Sequence, residues 1–269
     1  MKVSTKLLNQ KQPKNFSSLN EKIKKIQNKI LTGENSYNFI TNNSSSNNLF
    51  NLEYYDKFIK EAIDNGYSFM TLKEFFTKRP KNLKIFILRH DLDQKPHSLE
   101  NMLNVERKYS VKSTIFVRPL TNEYNVYGYN TFKMLMNAQK EGYEIGLHTS
   151  FVEFSIINKL DRIKVLETEL NILRNHFEIS GIAPHRDLNY MYNSLPELEK
   201  NWSLIKNKFD LMYQGYDKLL FESLTYVNEG FNPHLCWRNI TPEEAMKMKQ
   251  SIYLNTHSHW WFKDQAFEH

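Results

Sequence analysis

The segment KIFILRHDLD, residues 84–93, decides the fold class of this chain. Its first half is a short apolar run without glycine or proline, which predicts a buried β-strand over 84–91. Its second half places Asp91 and Asp93 two positions apart, and such positions point to the same face of an extended chain. The segment therefore predicts a buried strand that ends in a pair of carboxylates.

Helices and further strands alternate along the rest of the chain. We predict strands over 113–119, 143–148, 181–186, 209–214, 222–227 and 251–257, and helices over 49–66, 71–79, 98–109, 129–142, 154–177, 195–208 and 241–249. Alternation at this spacing predicts parallel βαβ units, and near-continuous apolar strands predict a sheet covered on both faces. A closed (β/α) barrel and a doubly wound open sheet both fit. No GxGxxG follows the first strand, which argues against a dinucleotide-binding sheet.

The first 48 residues differ in composition from the rest. Residues 1–31 carry eight lysines and one glutamate, which leaves about −1 of the net charge of +6 for residues 32–269. Residues 18–31 have the spacing of an amphipathic helix, and 35–48 form an Asn/Ser-rich linker, so we place a domain boundary before residue 49. The arm is either a solvated extension or a weak contact with an anionic membrane surface. Nucleic acid is not predicted, because no basic stripe covers the folded part.

Composition also indicates the cellular compartment in which the protein is expected. The single cysteine, Cys236, cannot form an internal disulfide, and no apolar run reaches the length of a membrane span. The N-terminal residues are basic without an apolar segment behind them, so no signal peptide is expected. These features predict a cytoplasmic protein.

Polar side chains follow four of the predicted strands, at the point where each strand ends. They are Asp91 with Asp93, His148, His185 with Arg186, and His257 with His259. In a (β/α) barrel these ends meet at one mouth, where catalytic groups lie. Two adjacent carboxylates require a shared proton, a cation or a metal, which suggests one metal ligand and one general base. Alternatively, Asp93 caps the following helix or pairs with Arg89, and each histidine is structural.

The motifs ILRHDLD, YSVKSTIFVRP, EGYEIGLHTS, GIAPHRD and YLNTHSHWW, in this order over roughly residues 50–262, resemble the polysaccharide deacetylase superfamily. This is the NodB-homology fold of carbohydrate esterase family four, and the RHDxD motif is closest to its WbmS-like branch. The resemblance implies an α/β fold, a distorted (β/α) barrel of about seven parallel strands, over residues 49–269. It also implies a hydrolase that removes an N-acetyl or similar acyl group from an amino sugar, a precursor of surface polysaccharide.

The resemblance assigns roles to particular residues of the site. Asp91 is the expected general base, Arg186 the residue that orients it, and His257 the general acid towards the leaving amine. The base and ligand roles of Asp91 and Asp93 could be exchanged. The side chains expected to contact substrate are Arg89, Trp237, Arg238, His259 and Trp260.

A divalent metal, with zinc as the expected ion, is the cofactor that the resemblance implies. Its expected ligands are Asp93, His148 and His185. Four residues after His148, where the family has a second histidine, stands Val152, which cannot bind metal. The third ligand must therefore come from elsewhere, and the candidates, with His185 ranked first, are His185, Glu153 and His259.

The substrate expected from the resemblance is a nucleotide-linked or lipid-linked glycan. Two alternatives remain open at this level. The chain could be another amide hydrolase on the same fold, such as a deformylase or a cyclic imidase. It could also be a glycan-binding domain without catalysis, since the usual third ligand is missing.

Overall fold

The computed structural model describes residues 50–81, 84–185, 194–229, 237–238 and 240–261. All of them lie in one compact unit, Tyr37–His269. The predicted helix 18–31 and linker 35–48 fall outside the described residues, as do Arg186 and Cys236. The domain boundary before residue 49 therefore stays a prediction.

A curled, mostly parallel sheet of nine strands forms the centre of the fold. The strands are β1 (Ser68–Phe69), β2 (Ile85–Leu92), β3 (Thr114–Val117), β4 (Glu144–Thr149), β5 (Gly181–Pro184), β6 (Tyr213–Gln214), β7 (Thr225–Glu229), β8 (Trp237–Arg238) and β9 (Ile252–His257). Their order is β6-β5-β4-β3-β2-β9-β7-β8, and β1 pairs with β2. Every pairing is parallel except that of β7 with β8. Seven parallel neighbours, β6 through β7, make a distorted (β/α) barrel, so the predicted fold class is confirmed.

Helices surround this sheet and connect its strands. They are α1 (Leu52–Asp64), α2 (Leu72–Lys78), α3 (Pro96–Lys108), α4 (Tyr129–Lys140), α5 (Phe151–Asn158), α6 (Arg162–Arg174), α7 (Ser194–Phe209), α8 (Lys218–Ser223) and α9 (Pro242–Lys247), with a 3₁₀ turn at Ser258–Trp260. Thr71 begins α2 with a capping box, in which its side chain accepts from the Glu74 amide and the Glu74 side chain accepts from the Thr71 amide.

The predicted helix 154–177 is wrong as a single element. The structure has two helices there, because Lys159 adopts a left-handed conformation (φ 54°) that ends α5. Asp161 then starts α6 by accepting a hydrogen bond from the Lys164 amide. The predicted strand 209–214 shortens to β6, and helix α8, capped by Asp217, was not predicted.

Strand β2 is buried along its whole length, and its two faces differ in chemistry. Phe86 and Leu88 pack in an apolar cluster that includes residues of α1 and α3. Arg89 points the other way, into the barrel, where its guanidinium lies between the rings of Phe116 (5.0 Å) and Tyr216 (4.8 Å). The barrel interior is thus packed with aromatic rings around one buried cation.

Two glycines make room for these interior rings. A Cβ on Gly146 would lie 2.6 Å from the Phe116 ring, and a Cβ on Gly181 would lie 2.1 Å from the Tyr213 ring. Both distances are far below van der Waals contact. Side chains at these positions would therefore displace the aromatic layer on which Arg89 rests.

Candidate active site

The carboxyl ends of β2, β4, β5 and β9 bring five of the predicted residues together. The His148 Nε2 atom lies 3.2 Å from Asp93 Oδ1 and 3.7 Å from Asp91 Oδ2. The His185 Nε2 atom lies 3.7 Å from the same Asp93 oxygen. The His257 Nε2 atom lies 3.8 Å from Asp93 Oδ2 and 4.0 Å from Asp91 Oδ2. One cluster therefore contains two carboxylates and three imidazoles.

The register of the sheet produces this cluster. Asp91 is the direct partner of His257 across the β2–β9 pair, and both side chains belong to the same cluster. His148 is the partner of Ala183 on β5, and the amide of His185 donates to the Thr149 carbonyl at 2.8 Å. Parallel pairing thus aligns the strand ends that carry the polar groups.

Asp93, His148 and His185 form a group that could hold a metal ion. Each offers one ligand atom, and the three atoms lie within 4.8 Å of one another. Asp93 Oδ1 is buried without a hydrogen-bond donor. Tetrahedral zinc with bonds of about 2.0–2.1 Å separates its ligands by about 3.4 Å, close to the 3.2 and 3.7 Å observed. The residues present therefore fit a divalent ion with one oxygen and two nitrogen ligands.

The surroundings prepare His148 and Asp93 for this role. The Nδ1 atom of His148 lies 3.0 Å from the Ala183 carbonyl, so it donates there and Nε2 is the ring atom that faces Asp93. Burial opposes a charge on Asp93, but the charge of His185 and the hydrogen bond and charge of His148 outweigh it and hold the pKa of Asp93 well below its usual range. A metal would thus meet a carboxylate and an imidazole whose Nε2 atom already faces it.

The other candidates for the third ligand do not belong to this group. Val152 packs into the apolar core. Glu153 is buried, with Oε2 at 4.0 Å from His185 Nδ1 and 3.6 Å from Arg118 Nη2. His259 is not among the three grouped residues. Among the residues described here, His185 is the one placed to complete the set.

Asp91 is held by Arg89. The guanidinium donates from Nε to Asp91 Oδ1 and from Nη2 to Oδ2, both at 2.7 Å. Burial opposes the charge of Asp91, but Arg89 outweighs it and keeps the pKa of Asp91 below its ordinary value. Arg89 is 0% exposed. It therefore cannot contact substrate as predicted, and it orients Asp91, the role expected of Arg186, which lies outside the described residues.

His257 is held by Glu229, a residue that was given no role from the sequence. Oε2 of Glu229 accepts from the His257 backbone amide at 2.6 Å and lies 2.9 Å from His257 Nδ1. Burial lowers the pKa of His257, but the hydrogen bond and charge of Glu229 and the charges of Asp93 and Asp91 raise it above its ordinary value. Glu229 ends strand β7, so its strand-end position was the signal that could have identified it.

The remaining predicted substrate contacts are divided between the core and the edge of the site. Trp237 is 1% exposed and packs in the cluster beside α1, so its predicted substrate contact is wrong. Trp260 is half-buried, with its ring 4.4 Å from that of His257. Burial, together with the charge of His257, lowers the pKa of the half-buried His259 to about 4. Arg238 is half-buried on β8, opposite Asn228.

Two polar residues that the sequence analysis passed over brace the strand ends. The Tyr124 hydroxyl donates to the Leu92 carbonyl at 2.8 Å and accepts from the Arg118 amide at 2.9 Å. The Arg118 side chain donates to Ser150 Oγ at 2.8 Å. These bonds tie the end of β2, next to Asp93, to the ends of β3 and β4. Arg118 carries the same signal as the other site residues, a polar side chain at the end of a strand.

Fold and site together define a parallel α/β barrel with a cluster of histidine and aspartate at its carboxyl mouth. No protein-family model matches the sequence, and no curated protein matches it either. Among solved structures, the chain is similar to "Streptococcus pyogenes deacetylase PplD in complex with acetate", with 17% sequence identity and a TM-score of 0.43. That match covers 76% of this chain and 89% of the other. No helix in the described part of the chain is long and apolar enough to cross a membrane.

Proposed function

We propose that this chain is a metal-dependent hydrolase that removes an N-acetyl or similar acyl group from an amino sugar. The observation that carries the proposal is the grouping of Asp93, His148 and His185 around one buried, donor-free carboxylate oxygen. Asp91 and His257 lie beside this group on separate strands, as a base and an acid on two sides of a reacting carbonyl would. The resemblance of the motif order to polysaccharide deacetylases supports the same chemistry.

When bound at these three ligands, a divalent ion such as zinc would polarise the acyl carbonyl and lower the pKa of water. In the reaction we propose, Asp91 accepts the proton of the attacking water while Arg89 keeps its carboxylate oriented. His257 donates a proton from Nε2 to the leaving amine, because Glu229 occupies its Nδ1 atom. Each of these groups is fixed by a buried partner, so little reorganisation accompanies the reaction.

The proposed substrate is an amino sugar in a nucleotide-linked or lipid-linked precursor of surface polysaccharide. Support comes from Trp260, whose half-buried ring lies beside the proposed acid and offers a flat apolar face to a sugar ring. The neutral imidazole of His259 lies near the same edge of the site and can exchange hydrogen bonds with sugar hydroxyls. A cytoplasmic location stays a prediction of the sequence.

Metal content and acetate release test this function directly. Purified protein should contain close to one divalent ion per chain and should release acetate from UDP-linked N-acetyl sugars. Asp93→Ala and His148→Ala should lose the ion. Asp91→Asn should keep the ion and lose about 10²- to 10⁴-fold in turnover. Glu153→Gln serves as the control that should retain the ion, because Glu153 is outside the ligand group.

Three outcomes would reject parts of the proposal. Turnover retained in Asp91→Asn would remove Asp91 as the base. A protein that binds the sugars, takes up no ion and releases no acetate would instead be a binding module. Release of another acyl product with the same metal dependence would place the chain among the other amide hydrolases.

A further inference from the structure

Trp261 is a buried tryptophan whose side chain makes one polar contact with the described residues. It is 2% exposed and follows the 3₁₀ turn that continues from β9. Its indole Nε1–H donates to Oε1 of Glu229. Because indole has a single donor, this bond is the only hydrogen bond that the side chain can donate, and it goes to the carboxylate that holds His257.

The two carboxylate oxygens of Glu229 bind two different residues at the end of β9 and just after it, His257 and Trp261. Oε2 accepts from the backbone amide of His257 and faces its Nδ1 atom, while Oε1 accepts from Trp261. Glu229 is 1% exposed, so water does not replace a missing donor readily. Among the residues that the structure describes, Trp261 is the donor to Oε1, so loss of the indole N–H would leave that buried oxygen without a described donor and would free the carboxylate to rotate away from His257.

Trp261 is itself fixed by aromatic residues at the start of the described chain. Its ring lies parallel to Tyr54 (8°, 6.0 Å between centroids) and packs against Tyr55 at 5.1 Å and Phe50 at 5.0 Å. Tyr54 and Tyr55 belong to helix α1, which lies outside the sheet. A rigid aromatic cluster therefore sets the position of the donor, and the donor sets the position of the carboxylate.

We propose that Trp261 is a positioning residue for the general acid His257 and that it acts through Glu229. The inference rests on the proposed function for the role of His257. It assigns helix α1 a part in the site, as the surface that holds Trp261 in place. The expected effect of losing the N–H is a lower rate of the chemical step, with no change at the metal ligands, which are bonded to other residues.

The chain offers a matched control in Trp237. It is 1% exposed, lies in the same aromatic cluster at 6.1 Å from Trp261, and donates its indole N–H to the Tyr54 hydroxyl instead of Glu229. Trp261→Phe and Trp237→Phe remove the same atoms from the same cluster. They differ in the acceptor that loses its donor, because only Trp261→Phe removes the N–H that donates to Glu229, the carboxylate beside His257.

The experiment compares both variants with the wild-type full chain in three measurements. Trp261→Phe should lower kcat for acetate release about ten- to hundredfold, with KM and zinc affinity within about twofold of wild type. Trp237→Phe should keep kcat within about twofold. In nuclear magnetic resonance spectra, the Nδ1–H of His257 should exchange with solvent at least about tenfold faster in Trp261→Phe alone, because its acceptor is less well held.

The outcomes separate this inference from the proposed function. Equal kcat in the two variants, with unchanged exchange at His257, would overturn the positioning role. If the wild type is inactive but Trp261→Phe still accelerates the exchange of the His257 Nδ1–H, the proposed function is rejected and the positioning role is kept. If Trp261→Phe does not fold, benzothiophene in place of the indole keeps the ring shape and lacks the N–H. That replacement should give the same loss, and wild-type kcat in it would overturn the inference.

Discussion

Replacing Arg89 with methionine should destabilise the protein through the carboxylate that is left behind. Arg89 is 0% exposed and Asp91 is 2% exposed, and the two side chains form a bidentate pair at 2.7 Å. Methionine fills part of the space between Phe116 and Tyr216 with flexible apolar atoms. It provides no donor, so both oxygens of Asp91 lose their strongest partners.

The magnitude follows from the burial of this pair. Removing one partner of a buried ion pair costs about 3–5 kcal/mol, because the remaining charge is desolvated and uncompensated. Arg89 also donates to Tyr253 at 3.2 Å and to the Gly215 carbonyl at 3.4 Å, but that carbonyl keeps a bond from the Tyr253 hydroxyl at 2.9 Å. We therefore assign nearly all of the expected loss to Asp91. A loss of this size is a large share of the about 5–15 kcal/mol that stabilises most proteins.

Urea unfolding in the presence of a chelator measures this loss without a contribution from bound metal. The double variant Arg89→Met with Asp91→Leu removes both charges, so its free energy of unfolding should exceed that of Arg89→Met alone. Two results would refute the reasoning. One is an Arg89→Met protein within about 1 kcal/mol of wild type, and the other is a double variant in which the two single losses add.

Three further predictions concern the Tyr124 hydroxyl, the buried carboxyl of Glu169 and the end of helix α5 at Lys159. Tyr124→Phe removes the hydroxyl that ties the strand end beside Asp93, so zinc affinity should fall about tenfold by chelator competition, while Tyr127→Phe in the same loop should leave it unchanged. Burial raises the pKa of Glu169 from 4.5 to about 7, so its proton is held more tightly in the folded state, and the folded state loses stability as pH rises from about 4.5 through 7. Glutamine at position 169 has no such proton, so the free energy of unfolding of Glu169→Gln should not show this fall, which amounts to up to about 3 kcal/mol at pH 8 in the wild type. Parallel pH profiles of the free energy of unfolding for the two proteins would contradict this. Lys159→Gly should raise the free energy of unfolding by about 0.5–1 kcal/mol, because glycine adopts the left-handed conformation without strain, whereas Lys159→Ala should not.

The strand ends were the part of the site that the sequence could predict. A short apolar run followed by a polar residue marks the carboxyl end of a buried strand, and parallel strands bring those ends to one edge. Asp93, His148 and His185 were found in this way, and the structure groups them within 4.8 Å. Their role as metal ligands stays a prediction until metal content is measured.

The partners of these residues could not be predicted, because they depend on which strands are neighbours. Glu229 reaches His257 only because β7 lies beside β9 in the sheet, and no local pattern specifies that order. Arg89 was expected from the family resemblance to contact substrate. It points into the barrel, where aromatic rings compensate for burial.

The break between α5 and α6 could have been predicted from Asp161, because aspartate is a preferred N-cap residue and it caps the second helix. The pattern of apolar residues continues across Lys159, and lysine favours helix, so the local propensity predicted one element. The left-handed conformation of a lysine is unfavourable by itself, and only packing of the surrounding residues selects it.

The central position of β9 has a consequence for how the chain acquires its structure during synthesis. Strand β9 pairs with β2 along six positions, and His90 Nδ1 on β2 lies 2.6 Å from Thr256 Oγ1 on β9, although these two residues are 166 positions apart in the sequence. On the ribosome, β2 therefore emerges long before its neighbour and must wait with one side unpaired. We expect this interval to be the stage at which the nascent chain is most prone to aggregate and most dependent on chaperones.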